Sequence, residues 1–308
     1  MKRRRILWIL LALIIITFST ISCNLRRFTD TKDSTIFEQF EQRAPNSEKP
    51  ELIRYRAKGH TMRYLKVGSD TLPTLVFIHG APSSLKGWAN FYLDTNFQKK
   101  FRMVSIDRPG YGQSDFGEVV LDLKKQAALI QPLFAQINNG KPVTIIGSSY
   151  GGTIAARLLM DYPDIANNAI LLSSSLKPGS EKTYKISYLL KTPIIKYIFP
   201  KFLRLATYEK FSHFKELEKM TDWDKIRVPI LIIQGDKDDL IYPDNADYAK
   251  EKLVNSTVEL VVLPGRGHAL QFSEPATVKQ LFWNWNKALE LVGPKAEAKE
   301  NQHSQNRN

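Results

Sequence analysis

Gly147-Ser148-Ser149-Tyr150-Gly151 sets two serines between two glycines, with Ser149 at the centre. It follows the apolar run Val143-Thr144-Ile145-Ile146 and precedes a helix-like segment at 153–160. A G-x-S-x-G pentapeptide between a strand and a helix is the pattern of a nucleophile elbow, with the central hydroxyl projecting from a strained turn at the sheet edge. Gly147 and Gly151 leave room where side chains would collide, and Gly152 lets the helix pack close to the strand. The Tyr150 N–H then lies at a helix N-terminus, where it can stabilise a developing oxyanion. Serine is a weak nucleophile until a base takes its proton. Near neutral pH that base is best supplied by histidine, with a carboxylate to orient the ring. The chain has five histidines: His60, His79, His213, His268 and His303.

Those groups must be positioned by the elements around them. Segments 52–57 and 62–67 alternate in polarity around Lys58-Gly59, a hairpin signal. Segments 75–78, 101–106, 143–146, 169–172, 230–233 and 258–263 read as strands, the last two as buried ones. Helical character is expected at 88–97, 121–137, 245–253 and 276–291. Strands alternating with helices imply a mostly parallel sheet covered on both faces. Ligands of such sheets bind at the carboxyl ends of the strands. His79, Asp107, Ser149, Asp238 and His268 all fall there.

Over roughly residues 52–291 the chain resembles the α/β-hydrolase superfamily. The matching pieces are His79-Gly80-Ala81-Pro82, the turn from Asp107 to Ser114 (DRPGYGQS), the elbow, Gly235-Asp236-Lys237-Asp238 and Gly265-Arg266-Gly267-His268. They keep the order nucleophile, acid, histidine. The resemblance implies an α/β fold, mostly parallel sheet flanked by helices, with a small helical cap. It implies Ser149 as nucleophile, His268 as base, and Asp238 as the acid ending a Gly-x-x-Asp turn. Asp236 and Asp239 are close enough in sequence to stay as alternatives. His79 belongs to the oxyanion loop, where the resemblance makes it structural. Pro82 has no N–H, so Ala81 is the expected second oxyanion donor beside Tyr150. The turn at Asp107–Ser114 is expected to support the site structurally. No cofactor or metal is implied.

The His-Gly-x-Pro loop is also similar to that of epoxide hydrolases and haloalkane dehalogenases, which attack with an aspartate where this chain has Ser149. The serine points to acyl transfer through an acyl-serine intermediate. The His-Gly-Gly-Pro-Gly loop of proline-directed aminopeptidases is absent. Hydrolysis of a carboxylic ester, apolar or lipid-like, is expected. A thioesterase, amidase or acyltransferase would use the same residues, and a non-catalytic ligand-binding fold is a further alternative.

The stretch 176–222 breaks the rhythm of strands and helices and is where the resemblance places the cap. It is rich in large apolar residues, and its basic residues outnumber acidic ones two to one. It reads as a lid packed on the core, or as a basic, aromatic rim that meets lipid or lines an acyl pocket. At the other end, Lys2-Arg3-Arg4-Arg5 precedes an apolar run, 6–18, and the single cysteine, Cys23. This arrangement resembles a bacterial lipoprotein signal (residues 1–22) cut before a lipidated Cys23. An uncleaved membrane anchor is the alternative. Either way the remainder is expected outside the cytoplasm, in the cell envelope. Residues 23–50 read as a polar tether and 293–308 as a disordered tail. One cysteine allows no disulfide framework. The net charge of +13 is accompanied by no zinc, RNA-binding or helix-turn-helix signature, so nucleic acid is not an expected partner. Proximity to an anionic membrane is the milder reading.

Overall fold

The computed structural model describes Trp8, residues 32–190, Thr192 and residues 200–289. The expected signal segment (Trp8 apart), the lipidation site Cys23 and the tail at 293–308 lie outside the described residues. So do the cap positions 193–199.

Eight strands form one sheet in the order β1-β2-β4-β3-β5-β6-β7-β8. They are β1 (Glu51–Ala57), β2 (His60–Val67), β3 (Thr74–Ile78), β4 (Arg102–Asp107), β5 (Val143–Ser148), β6 (Asn168–Leu172), β7 (Ile230–Gly235) and β8 (Val258–Leu263). β2 runs antiparallel to both neighbours, and β4, β3 and β5 to β8 are parallel. The expected fold class is the one found.

Helices cover both faces: α1 (Asp33–Arg43), α2 (Leu123–Ile130), α3 (Tyr150–Asp161), α4 (Lys201–Glu218), α5 (Asp244–Lys252) and α6 (275–289). Strand residues alternate between two cores. Val76, Ile78, Ile145 and Leu171 join the layer of α2, α3 and α5. Leu75, Phe77, Ile146 and Leu172 join the layer holding Ile36 and Phe40 of α1 and Phe282 of α6. A period of two with both faces buried is what a central parallel strand requires. β8 departs from the buried strand expected, because it lies at the sheet edge and leaves Glu259 and Val262 exposed.

Three expectations change on inspection. The segment read as a polar tether contains α1, which docks on the sheet through buried Ile36 and Phe40, one turn apart. Three apolar side chains in eleven residues, of which Phe37 is exposed, are too few to give a periodic signal. The single helix expected at 121–137 divides at Pro132, whose ring cannot continue the ladder. The one expected at 88–97 is a 3₁₀ turn, Leu85–Trp88, followed by two single-turn helices.

Candidate active site

Ser149 joins the last residue of β5 to the first of α3 with φ 55° and ψ −126°. A serine held at positive φ is a strained conformation, maintained only where its surroundings determine it. Here the Ser149 N–H donates to Leu172 O on β6 at 3.0 Å, and Ser149 O accepts from Gly152 N at 2.9 Å. The turn passes so close to β3 that a Cβ on Gly151 would lie 2.2 Å from Ile78 O. The loop after β3 in turn crosses the serine, since a Cβ on Gly80 would lie 2.9 Å from Ser149 Cβ.

Three aspartates follow β7, and their partners separate them. Asp238 Oδ2 is 2.8 Å from His268 Nδ1. Its Oδ1 accepts from Leu240 N at 3.0 Å and Ile241 N at 2.9 Å, while Gln234 Nε2 donates to Oδ2 at 3.2 Å. The carboxylate is wholly buried and the imidazole is partly open. A buried charge is sustained by such a full set of donors. Asp236 instead accepts from Gly265 N at 2.6 Å and fastens the loop that carries His268. Asp239 pairs at the surface with Lys182. Ser149 lies on the same carboxyl edge as the Asp238–His268 pair. No hydrogen bond joins its hydroxyl to His268 among the described residues, and serine–histidine contacts of this kind commonly tighten only with substrate.

Ala81, Ser149 and Tyr150 line one cavity of about 90 Å³, together with Leu240 and Ile241, the two residues whose N–H groups hold Asp238. Among the described residues, neither the Ala81 N–H nor the Tyr150 N–H donates to a protein acceptor. The rest of the wall is largely charged. Glu181, Lys182, Glu209, Lys210 and His213 reach it from the cap region. Glu181 pairs with Lys210 at 2.6 Å and accepts from the Ser175 hydroxyl at 3.0 Å. His213 Nε2 lies 3.0 Å from the same hydroxyl, with its ring 4.6 Å from that of Tyr150. Burial pushes the His213 pKa below the ordinary histidine range.

Beneath this wall lies a buried network that sequence reasoning did not find. The Arg108 guanidinium meets Glu209 of α4 through both ends, at 2.8 and 3.0 Å. Arg108 packs against the Tyr111 and Tyr150 rings, at 4.7 and 4.5 Å. Tyr111 donates its hydroxyl proton to Glu209 at 2.6 Å. The bidentate pair ties the cap helix to the turn after β4. Farther along α4, Glu216 accepts from Leu123 N at the start of α2. Glu209 and His213 fall on the same helical stripe as buried Phe202 and Leu205. Polar residues on such a stripe demand buried partners, and that was the available signal.

His79 is structural here. Its Nδ1–H donates to Gly80 O at 2.7 Å and Nε2 accepts from Arg108 N at 3.0 Å. Burial, then the Arg108 charge, hold its pKa well below the ordinary range. Asp107 accepts from Leu85 N and Gln113 N and faces Arg63, which fits the supporting role expected for its turn. Burial raises its carboxyl to about 6 against the pull of Arg63. His60, in the β1–β2 hairpin, faces Asp115 and Glu118.

A family model described as the Alpha/beta hydrolase family matches residues 75–281. Among curated proteins, epoxide hydrolase 1 of Caenorhabditis elegans is 28% identical over 152 residues. That match covers 48% of this chain and 37% of the relative, so the chain spans little more than a third of the protein it matches. Among solved structures, one from Acinetobacter baumannii AYE described as a lipase superposes with a TM-score of 0.64 at 22% identity, covering 85% of this chain and 98% of that one. A membrane phospholipase A, described as a bacterial virulence factor, gives 0.63 at 19% identity, covering 94% and 99%. At these identities the likeness to solved structures establishes the fold.

Proposed function

From a chain that belongs to the alpha/beta hydrolase family, we propose a serine hydrolase that cleaves carboxylic esters through an acyl-serine intermediate and is held at the cell-envelope membrane by its N-terminal segment. The observation that carries the chemistry is the 2.8 Å contact between the buried Asp238 carboxylate and His268 Nδ1, on the sheet edge where Ser149 sits at positive φ.

The steps follow from the atoms. His268 Nε2 takes the Ser149 proton as Oγ attacks the ester carbonyl, and the new C–O bond places a negative charge on the carbonyl oxygen. The N–H groups of Tyr150 and Ala81 hold that oxyanion, a contribution of about 3–4 kcal/mol per donor in comparable sites. Asp238 keeps the proton on Nδ1 and stabilises the imidazolium. The imidazolium then protonates the leaving alkoxide as the acyl C–O bond breaks. Water, deprotonated by His268, attacks the acyl-serine, and the acid departs with Ser149 restored.

The epoxide hydrolase likeness brings a different chemistry, one that needs an aspartate where Ser149 stands. The acyl group expected is short. A cavity of about 90 Å³ is well below the roughly 300–1,000 Å³ of sites for drug-sized ligands, and its charged wall disfavours a long alkyl chain.

The test is labelling of the full chain with a fluorophosphonate probe beside Ser149→Ala, then rates on esters of increasing acyl length. Labelling of the wild type alone, with short acyl esters turned over fastest, is expected. A wild type that neither labels nor exceeds Ser149→Ala on any ester overturns the hydrolase reading in favour of a ligand-binding fold. Thioester or amide turnover above ester turnover, or transfer to added alcohol, moves the reaction to the related acyl classes.

A further inference from the structure

We propose that the carboxyl edge of the sheet, with the cap over it, faces an anionic lipid bilayer, so that the cavity at Ser149 opens toward the surface that anchors the protein. This rests on the anchor reading above and adds the orientation.

The first observation is where the chain enters the domain. Asp33, the first residue of α1, pairs with Arg54 at 3.1 Å and Arg63 at 3.0 Å and accepts from Gln113 at 3.2 Å. Arg54 stands opposite Arg63 in the β1–β2 register, and Arg63 stands opposite Asp107, the last residue of β4. Those three partners therefore lie at the carboxyl edge. From there α1 descends, and the chain turns into β1 at Glu51, which pairs with Lys66 toward the amino edge. The apolar segment and Cys23 thus join the domain from the edge that carries Ser149, Asp238 and His268.

The second is reach. Ten residue steps separate Cys23 from Asp33, a span of at most about 35 Å. A domain of this size is roughly 45 Å across. An anchor at Cys23 therefore keeps the carboxyl edge, where Asp33 sits, within reach of the bilayer.

The third is what that edge presents. Tyr184, Tyr188, Leu189 and Phe214 of the cap region are exposed, as is Phe116 on the loop after β4. Tyr188 leans on Phe211 of α4, and Phe214 lies against Gly179. Exposed Lys185 and Lys201 flank these rings, and Lys201 packs on Gly117 beside Phe116. Aromatic side chains interleaved with lysines suit the boundary between headgroups and acyl chains, and the lysines favour anionic lipid. The opposite edge presents Val254, between α5 and β8, and Trp283 beside Lys100 and Lys287.

The experiment places an environment-sensitive fluorophore on full-length Tyr188→Cys or Val254→Cys, reconstituted in vesicles of phosphatidylglycerol and phosphatidylethanolamine that carry spin-labelled lipid. The parent chain, whose single cysteine is Cys23, sets the background. Flotation of the vesicles is read on the same samples. The expected result is flotation of both proteins and several-fold stronger lipid quenching at 188 than at 254. Lys185→Glu with Lys201→Glu should weaken quenching at 188 while flotation persists. Flotation with equal quenching, with quenching confined to 254, or with none at either site overturns the orientation and leaves the anchor. Failure of the parent chain to float overturns the anchor and the orientation with it.

Discussion

Asp238 and Glu209 are both carboxylates removed from water beside the same cavity, and each is held against a nitrogen base. Their partners set them apart. Asp238 faces an imidazole that is partly open, so the pair can orient a ring that takes and returns a proton during the reaction. Glu209 faces a buried guanidinium that does not release its proton, clasped through both nitrogens between two tyrosine rings. One pair is built for chemistry and the other for position. A carboxylate's role here is decided by what its partner can do with a proton.

The comparison breaks most sharply at Asp238. Asp238→Asn keeps the shape but presents an amide to His268 Nδ1, so the ring is no longer held in the productive tautomer. Turnover should fall about 10³–10⁴-fold, while the thermal midpoint shifts little. Kinetics on the ester that labels out best would check it, and a loss below tenfold would remove Asp238 from its proposed role. At Glu209 the expected injury is to the fold. Glu209→Gln leaves the Arg108 charge buried without its counter-ion, at about 3–5 kcal/mol. Urea denaturation reads that loss. Arg108→Met combined with Glu209→Leu should be less damaging than Glu209→Gln alone, because no buried charge then stands unpaired.

The two pairs also differ in how legible they are in the sequence. Asp238 and His268 end short turns after strands, so local pattern brings them to one edge, and the register of β7 on β8 does the rest. Ser149 is legible for the same reason. Glu209 meets Arg108 across a separation of 101 residues, and only the way α4 lies on the turn after β4 brings them together. The charged wall of the cavity is hidden likewise, because Glu181, Lys210 and His213 converge only once the cap is placed. Helix α1 was missed for a different cause: its two buried apolar residues are outnumbered by polar ones that face water.

Buried histidines give the next effect. His79 and His213 have folded pKa values below the ordinary 6.5, so the unfolded chain binds protons more readily than the native one. Their contribution to stability is complete above about pH 6.5 and declines as pH falls from there toward their folded values, by at most about 1.4 kcal/mol per unit for each. Asp107, raised to about 6, has the opposite sign: its share is present at low pH and lost as pH rises through 6. His213→Gln isolates one term, since the amide can still donate to Ser175. The difference between its thermal midpoint at pH 7.5 and at 5.5 should be smaller than the parent's. An unchanged difference would mean that His213 protonates in place.

The smallest effects belong to the neighbouring aspartates, and they sharpen the comparison by failing to matter. Asp236 accepts one hydrogen bond from Gly265 N, which an asparagine oxygen can also accept, so Asp236→Asn should leave the His268 loop in place and turnover within a few-fold. Asp239 pairs with Lys182 where both are well exposed, and surface pairs of this kind carry little weight in water. Asp239→Asn should change neither the thermal midpoint nor the rate measurably. Steady-state rates of the three Asn variants, measured side by side, rank the candidates. The geometry demands that Asp238→Asn alone be crippled. A comparable loss at Asp239 would mean that the acid reaches His268 through a rearranged loop, and a loss at Asp236 would mean that the Gly265 turn, rather than the carboxylate, governs where the imidazole stands.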